Sequence, residues 1–201
     1  QVEVELTTRM IDPVEEGIDV VIHRGRPQDS SLVARPMMSS PRQLFASPDY
    51  IAQYGMPQKP EELSKHRCIY TLMDGGRKWH FLDPHVSVQV SPVLTVNNIT
   101  FAREAAIAGA GIINVPAFIA EPYVEQGQLV RVLEHVRLPS SELYALYPSR
   151  RFQAMKVKAF IDFMIESLER FVGLGVETDV EALLSSIPAQ PELHDPDLHD
   201  K

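Results

Sequence analysis

Apolar residues recur along this chain at two periods that take turns, and no other feature limits its fold as strongly. "VEVEL" (2–6) alternates at the period of a half-buried strand. "IDVVI" (18–22) and "GIINV" (111–115) are short continuous apolar runs, the mark of strands covered on both faces. Between the first two, "DPVEEG" reads as a single helical turn, opened by Pro13 and closed by Gly17. The result is a strand, helix, strand unit of a largely parallel sheet, and with it an α/β fold.

The same switching continues. Strands are expected over 31–38, 42–47, 67–72, 78–82, 86–96 and 142–148. Helices open where a capping residue meets proline, at Ser47–Pro48 and again at 59–66, with a longer one over 98–110 and a helical turn begun by Pro116. The last helix spans 153–171, where Val157, Phe160, Ile161, Met164, Leu168 and Phe171 fall on one stripe of the kind that packs on a core.

Composition narrows the function. A chain of 201 residues with 44% hydrophobic content builds a core in one domain or two small lobes. Of its net charge of −8, the residues after Gly175 supply seven negatives against Lys201 alone, or −6, which leaves about −2 for the body. No block of clustered Lys and Arg exists to neutralise phosphates, which argues against direct DNA binding by this chain. Cys68 is the only cysteine, which excludes an internal disulfide and suits a reducing compartment. No apolar run approaches the roughly 18 residues of a membrane span, and "QVEVELTTRM" has no basic-then-apolar leader pattern, so a cytoplasmic protein without a membrane partner is expected. Residues 173–201, Pro-rich and acidic, are expected to be a disordered tail.

The ordered series "DPVEEGIDVVIHRG", "ARPMMSSPRQLFASPDYIAQYG", "W-x-F", "LTVNN", "AAIAGAGIINVP", "GQLVRVL" and "ALYPSR" resembles the effector-binding domain of LysR-type transcriptional regulators. That resemblance runs from about residue 2 to 171 and implies a periplasmic-binding-protein-like (type 2) fold, two α/β lobes joined by two crossover strands with an effector between them. It places lobe one at 1–41 plus 147–172 and lobe two at 42–146, with crossings near "MMSSPR" and "LYPSR". It implies a homodimer or homotetramer that touches DNA only through an N-terminal winged helix-turn-helix outside this chain. The first strand and helix of lobe one are expected to lie outside it as well. A solute-binding protein of a transporter and a small two-lobe enzyme, with His23 as its candidate acid or base, share the fold logic.

Candidate ligand residues gather at strand ends and at one helix start. A helix opening at Asn98 presents free N–H groups and the positive end of its dipole, so with Asn97 and Thr100 it can hold a carboxylate; ordinary capping by Asn98 is the alternative. Gly109 and Gly111 follow the helix, where a dinucleotide loop would precede it, so they read as helix stop and close packing. Thr7 and Thr8 end the first expected strand, at the position where open α/β folds place ligands, and equally fit a polar turn. Arg24 in "IHRG" stands one residue after the position where the family pattern has Arg; it either pairs with an acidic ligand or makes a surface ion pair. Pro116, closing "GIINV", completes the set. "H-R-C" (66–68) lacks a second ligand pair at zinc spacing, no nucleophile elbow or metalloprotease motif is present, and neither a cofactor nor a metal is expected. The effector these groups suit is a small anionic metabolite, carboxylate-bearing before other classes.

Overall fold

The computed structural model describes residues 2–7, 9, 11–25, 27, 31–72, 77–149 and 155–174, the side chains of 171–174 excepted. Thr8, the 188–201 segment, the rest of the expected tail beyond Leu174 and the Phe171 side chain lie outside the described residues.

Two principal sheets organise the chain. In the first, β1 (Val21–Arg24), β10 (Ser141–Pro148) and β2 (Leu32–Ser40) lie in the order β1-β10-β2, all antiparallel. The second orders five strands as β7-β4-β8-β3-β9: β3 (Arg42–Ala46), β4 (Arg67–Thr71), β7 (Ser91–Val96), β8 (Ile112–Pro116) and β9 (Val130–Val132). Here β4 runs parallel to both β7 and β8, while β3 is antiparallel to β8 and β9. A hairpin of β5 (Lys78–Leu82) and β6 (His85–Gln89) stands apart as a third, small sheet.

Strand period decides which side chain enters which core. Along β3, Leu44 and Ala46 face one cluster with Trp79, Phe81 and Val88 of the hairpin, and Phe45 faces the other. Along β8, Ile112 joins the first cluster and Ile113 and Val115 the second. The second cluster is closed by α2 (Ile99–Ile107) through Ala102 and Ala106 and by α3 (Ala117–Glu125) through Ala120. Each fully buried Ile contributes about 1.5–3 kcal/mol of transfer free energy. On the three-stranded sheet, α4 (Met155–Leu174) sets Val157 and Ile161 against Met37, Ala145 and Tyr147, and Arg35 Nη2 reaches Asp162 Oδ1 at 2.6 Å.

Helix starts follow the capping chemistry. Ser47 Oγ accepts the N–H of Tyr50 at 3.2 Å with Pro48 opening α1 (Pro48–Tyr54). The repeat of that device gives only a 3-10 helix over Pro60–Lys65, because Lys59 has no oxygen with which to cap it. "DPVEEG" forms its single turn, with Glu16 N–H on Asp12 O at 3.0 Å and Gly17 at φ 72°.

Several expectations are corrected. Residues 2–6 form no strand, and Val2, Val4 and Leu6 are exposed, so no parallel strand, helix, strand unit forms there among the described residues. An alternating pattern is a strand only when a partner covers its apolar face. The 18–22 strand begins at Val21 and continues to Arg24. The 86–96 strand is two: the chain bends at Val90, whose N–H is taken by Arg77 O at 3.0 Å, so β6 pairs with β5 and β7 with β4. Strand β9 has only three residues, too short for periodicity to show. The turn opened by Pro116 is a full helix that carries Pro122 within it.

Close packing between β4 and the start of β8 leaves room only for glycine: a Cβ on Gly111 would lie 2.5 Å from the Arg67 carbonyl oxygen. Gly111→Ala is therefore expected to cost about 1–3 kcal/mol in urea unfolding.

Around the same strand, the Tyr50 hydroxyl accepts the Arg67 N–H at 3.0 Å and lies 3.0 Å from His66 Nδ1. Burial pushes the His66 imidazole below its ordinary range, with Glu62 pulling it partly back. The unfolded chain therefore binds the proton more readily, and stability falls as pH drops through about 6.5, levelling off below the folded value. In His66→Asn, whose oxygen keeps an acceptor near Nδ1, this part of the pH dependence should vanish from melting curves collected across that window.

Candidate functional site

Strands β4, β7 and β8 run the same way, so their carboxyl ends reach the same edge of the five-stranded sheet. That edge is where an open α/β sheet leaves a crevice, since each chain must turn away there into a helix or loop. At the ends of β4 and β7 an open depression of about 800 Å³ is lined by Leu72, Thr95, Val96, Asn97, Asn98, Thr100, Phe101 and Glu104. Leu72 follows β4, Thr95 and Val96 close β7, and the others belong to the first turns of α2 and the link before it.

Asn98 is the N-cap. Its backbone is extended (φ −119°, ψ 121°), its Oδ1 accepts the N–H of Phe101 at 2.9 Å, and its carbonyl accepts Ala102 N–H at 3.1 Å. The capping alternative raised by the sequence is therefore occupied by this side chain's oxygen, leaving its amide N–H₂ as the group to offer a ligand. Asn97 and Thr100 are exposed beside it. Glu104 is the one ionisable group of the lining, and Arg103 Nη2 holds its carboxylate at 2.8 Å. Any anion taken up here is met by neutral donors and the helix dipole, equivalent to about half a positive charge, rather than by a lysine or arginine of the lining. Leu72 and Phe101, each 58% exposed, supply apolar area on the same walls.

Of the sequence-predicted residues, Asn97, Asn98 and Thr100 come together in this depression, and the others do not line it. Thr7 is exposed, and its Oγ1 accepts the Arg9 N–H at 3.2 Å in a local turn. Thr8 lies outside the described residues. Arg24 is half-buried at the end of β1, opposite Leu143 of β10. Pro116 is buried at the end of β8, opposite Arg42. It starts α3 at the same sheet edge, where Ala117 N–H reaches Pro41 O at 2.8 Å, and Arg42 Nε donates to the buried Asn114 Oδ1 at 2.9 Å. Leu72, Thr95, Val96, Phe101 and Glu104 were missed from sequence. The carboxyl-end rule, applied to the expected 67–72 strand, would have pointed to Leu72.

Cys68 lies on β4. It is buried with Sγ 3.8 Å from the carbonyl oxygens of Leu63 and His66, and burial pushes its thiol up to about 12. Among the described residues no three His, Cys, Asp or Glu side chains converge as metal ligands, and no helix is long and apolar enough to cross a membrane.

A family model described as the LysR substrate binding domain matches residues 1–169. The chain belongs to the LysR substrate-binding-domain family. It is 32% identical over 173 residues to the HTH-type transcriptional regulator PtxR of Pseudomonas aeruginosa, covering 85% of this chain and 55% of PtxR. Among solved structures, the regulatory domain of AphB from Vibrio vulnificus superposes with a TM-score of 0.66 at 29% identity, covering 83% of each chain. The CrgA regulatory domain, a LysR-type regulator of Neisseria meningitidis, gives 0.68 at 28% identity over 77% of this chain and 78% of that one. The LysR domain thus has the type 2 periplasmic-binding-protein-like fold, and its relatives are transcriptional regulators, not enzymes. The chain spans about half the length of the curated relatives it matches.

In this LysR domain Asn98 both caps α2 and lines the depression, whereas Asn97 only lines it. Asn98→Ala should lower stability by about 1 kcal/mol, while Asn97→Ala, at an exposed position before the cap, should stay within about 0.5 kcal/mol; thermal unfolding of the two variants makes the comparison.

Proposed function

We propose that this LysR domain senses a small anionic metabolite, carboxylate-bearing before other classes, in the depression at the carboxyl ends of β4 and β7. The observation that carries the reading is the convergence of Asn97, Asn98 and Thr100 with the apolar walls of Leu72 and Phe101 at that edge. Polar groups at the helix start orient the anion, and the apolar walls take the remainder of the molecule. No charged counter-ion of the lining has to be desolvated, so affinity follows the fit of the apolar part.

In this reading the three-stranded sheet with α4 is lobe one and the five-stranded sheet with its hairpin is lobe two; because β10 (Ser141–Pro148) belongs to the first sheet, the second segment of lobe one begins near 141 rather than at the expected 147. The links between β2 and β3 and at the start of β10 are the two crossings. Thr7 and Arg24 of lobe one form the facing wall when the lobes close on the effector, and Pro116 stays on lobe two, at the sheet edge it shares with Asn98. Bound effector favours one lobe arrangement, and a cytoplasmic homodimer or homotetramer passes that preference to DNA-binding domains outside this chain. A coupling of about 1–3 kcal/mol is enough to change operator affinity roughly 5–150-fold.

A thermal-shift screen with aromatic and aliphatic carboxylates, amino acids and phosphorylated metabolites tests this directly. At ligand concentrations near a hundred times Kd, the added stability of about 2.7 kcal/mol corresponds to a rise of about 5–10 °C. The rise should fall steeply in Thr100→Ala and Leu72→Asp. A carboxylate that stabilises the protein equally in all three forms would show that binding happens elsewhere.

A further inference from the structure

Glu104 is the one ionisable side chain that lines the depression, and an acid on its wall opposes the uptake of a carboxylate. Like charges brought together in a site weaken binding unless the ligand carries a cation of its own. On α2, Glu104 stands three residues after Phe101 and four after Thr100, so the three side chains are neighbours on one helix surface. All three line the depression.

Arg103 fixes the Glu104 carboxylate without occupying all of it. Its Nε and Nη2 both donate to Oε1, at 3.0 Å and 2.8 Å, and among the described residues Oε2 accepts no hydrogen bond. The guanidinium carbon lies 4.2 Å from the centroid of the Tyr123 ring on α3, and Arg103 is not among the residues of the lining. One carboxylate oxygen is therefore held from the α3 side, and the other is left for a donor. A carboxylate oxygen next to an aromatic ring suits an ammonium group, because the oxygen accepts its N–H and the ring's negative face attracts its charge. Helix rise sets the spacing: Glu104 lies about 6 Å beyond Thr100 and about 9 Å beyond Asn98 along the axis of α2.

We propose that the effector is zwitterionic, with its carboxylate at the start of α2 and its ammonium between Glu104 and Phe101. The two charged ends are then separated by several bonds, which an α-amino acid does not provide and an ω-amino acid does. The inference rests on the reading of this depression as the effector site and adds the second charged group that its ligand carries.

Isothermal titration of the 201-residue chain with hexanoate, hexylamine, 2-aminohexanoate and 6-aminohexanoate is the test. The four share one carbon chain and differ in which charged ends they carry and where. The 6-amino acid should bind about tenfold more tightly than hexanoate, and the 2-amino acid, whose amine adjoins its carboxylate, should show no such gain. In Glu104→Gln the gain should shrink to about twofold or less, while hexanoate itself binds more tightly with the like charge gone. Phe101→Leu, which keeps apolar volume and removes the ring, should cut the gain about threefold. If hexanoate binds and the 6-amino acid gains nothing over it, or if the gain survives in Glu104→Gln, the ammonium site is overturned and the carboxylate reading stands. Hexylamine that binds in a Glu104-dependent way where hexanoate does not would uphold the ammonium site and remove the carboxylate reading. Binding of none of the four would overturn both.

Discussion

Burial of β8 on both faces is the constraint on which the larger sheet depends. All five residues from Ile112 to Pro116 are buried, so the strand must have a partner on each side and a core above and below. β3 and β4 are those partners, antiparallel and parallel, and Gly111 lets the chain enter beside β4 where any side chain would strike the Arg67 carbonyl. The parallel pairing then forces the carboxyl ends of β4, β7 and β8 to one edge. The depression beside α2 is therefore a by-product of how the core is filled, not a separate invention of the loops.

Much of this was legible from residue pattern. "GIINV" announced a doubly covered strand, Ser47–Pro48 a capped helix, and the Val157–Leu168 stripe a helix laid on a core. What escaped notice escaped for physical reasons. "VEVEL" carries a strand's alternation, but alternation records only what a partner could cover, and no partner covers it here. The bend at Val90 costs no apolar residue, so two strands with different partners read as one. Asn97, Asn98 and Thr100 could be singled out because polar residues mark a helix start, where Asn98 serves as the cap. Leu72 and Phe101 were not, because an exposed apolar side chain and a buried one look alike in sequence.

The lining of the proposed site is electrostatically sparse. Its lining holds a single ionisable side chain, Glu104, and a neighbouring arginine already engages that carboxylate. Proton transfer needs a titratable group aimed at the ligand, and recognition does not. In the proposed reading, neutral amides and hydroxyls over a helix start hold an anion without a lysine or arginine of the lining, and the helix dipole's share of that binding weakens with salt.

Cys68 has one more consequence. It is the only thiol of the chain, it is buried, and its high pKa leaves almost no thiolate near neutral pH. Maleimide and nitroxide reagents should pass it by. A cysteine introduced at the exposed Leu72 would then be the one addressable thiol, so a spectroscopic label there could report on ligand binding at that sheet edge with the native residue left in place.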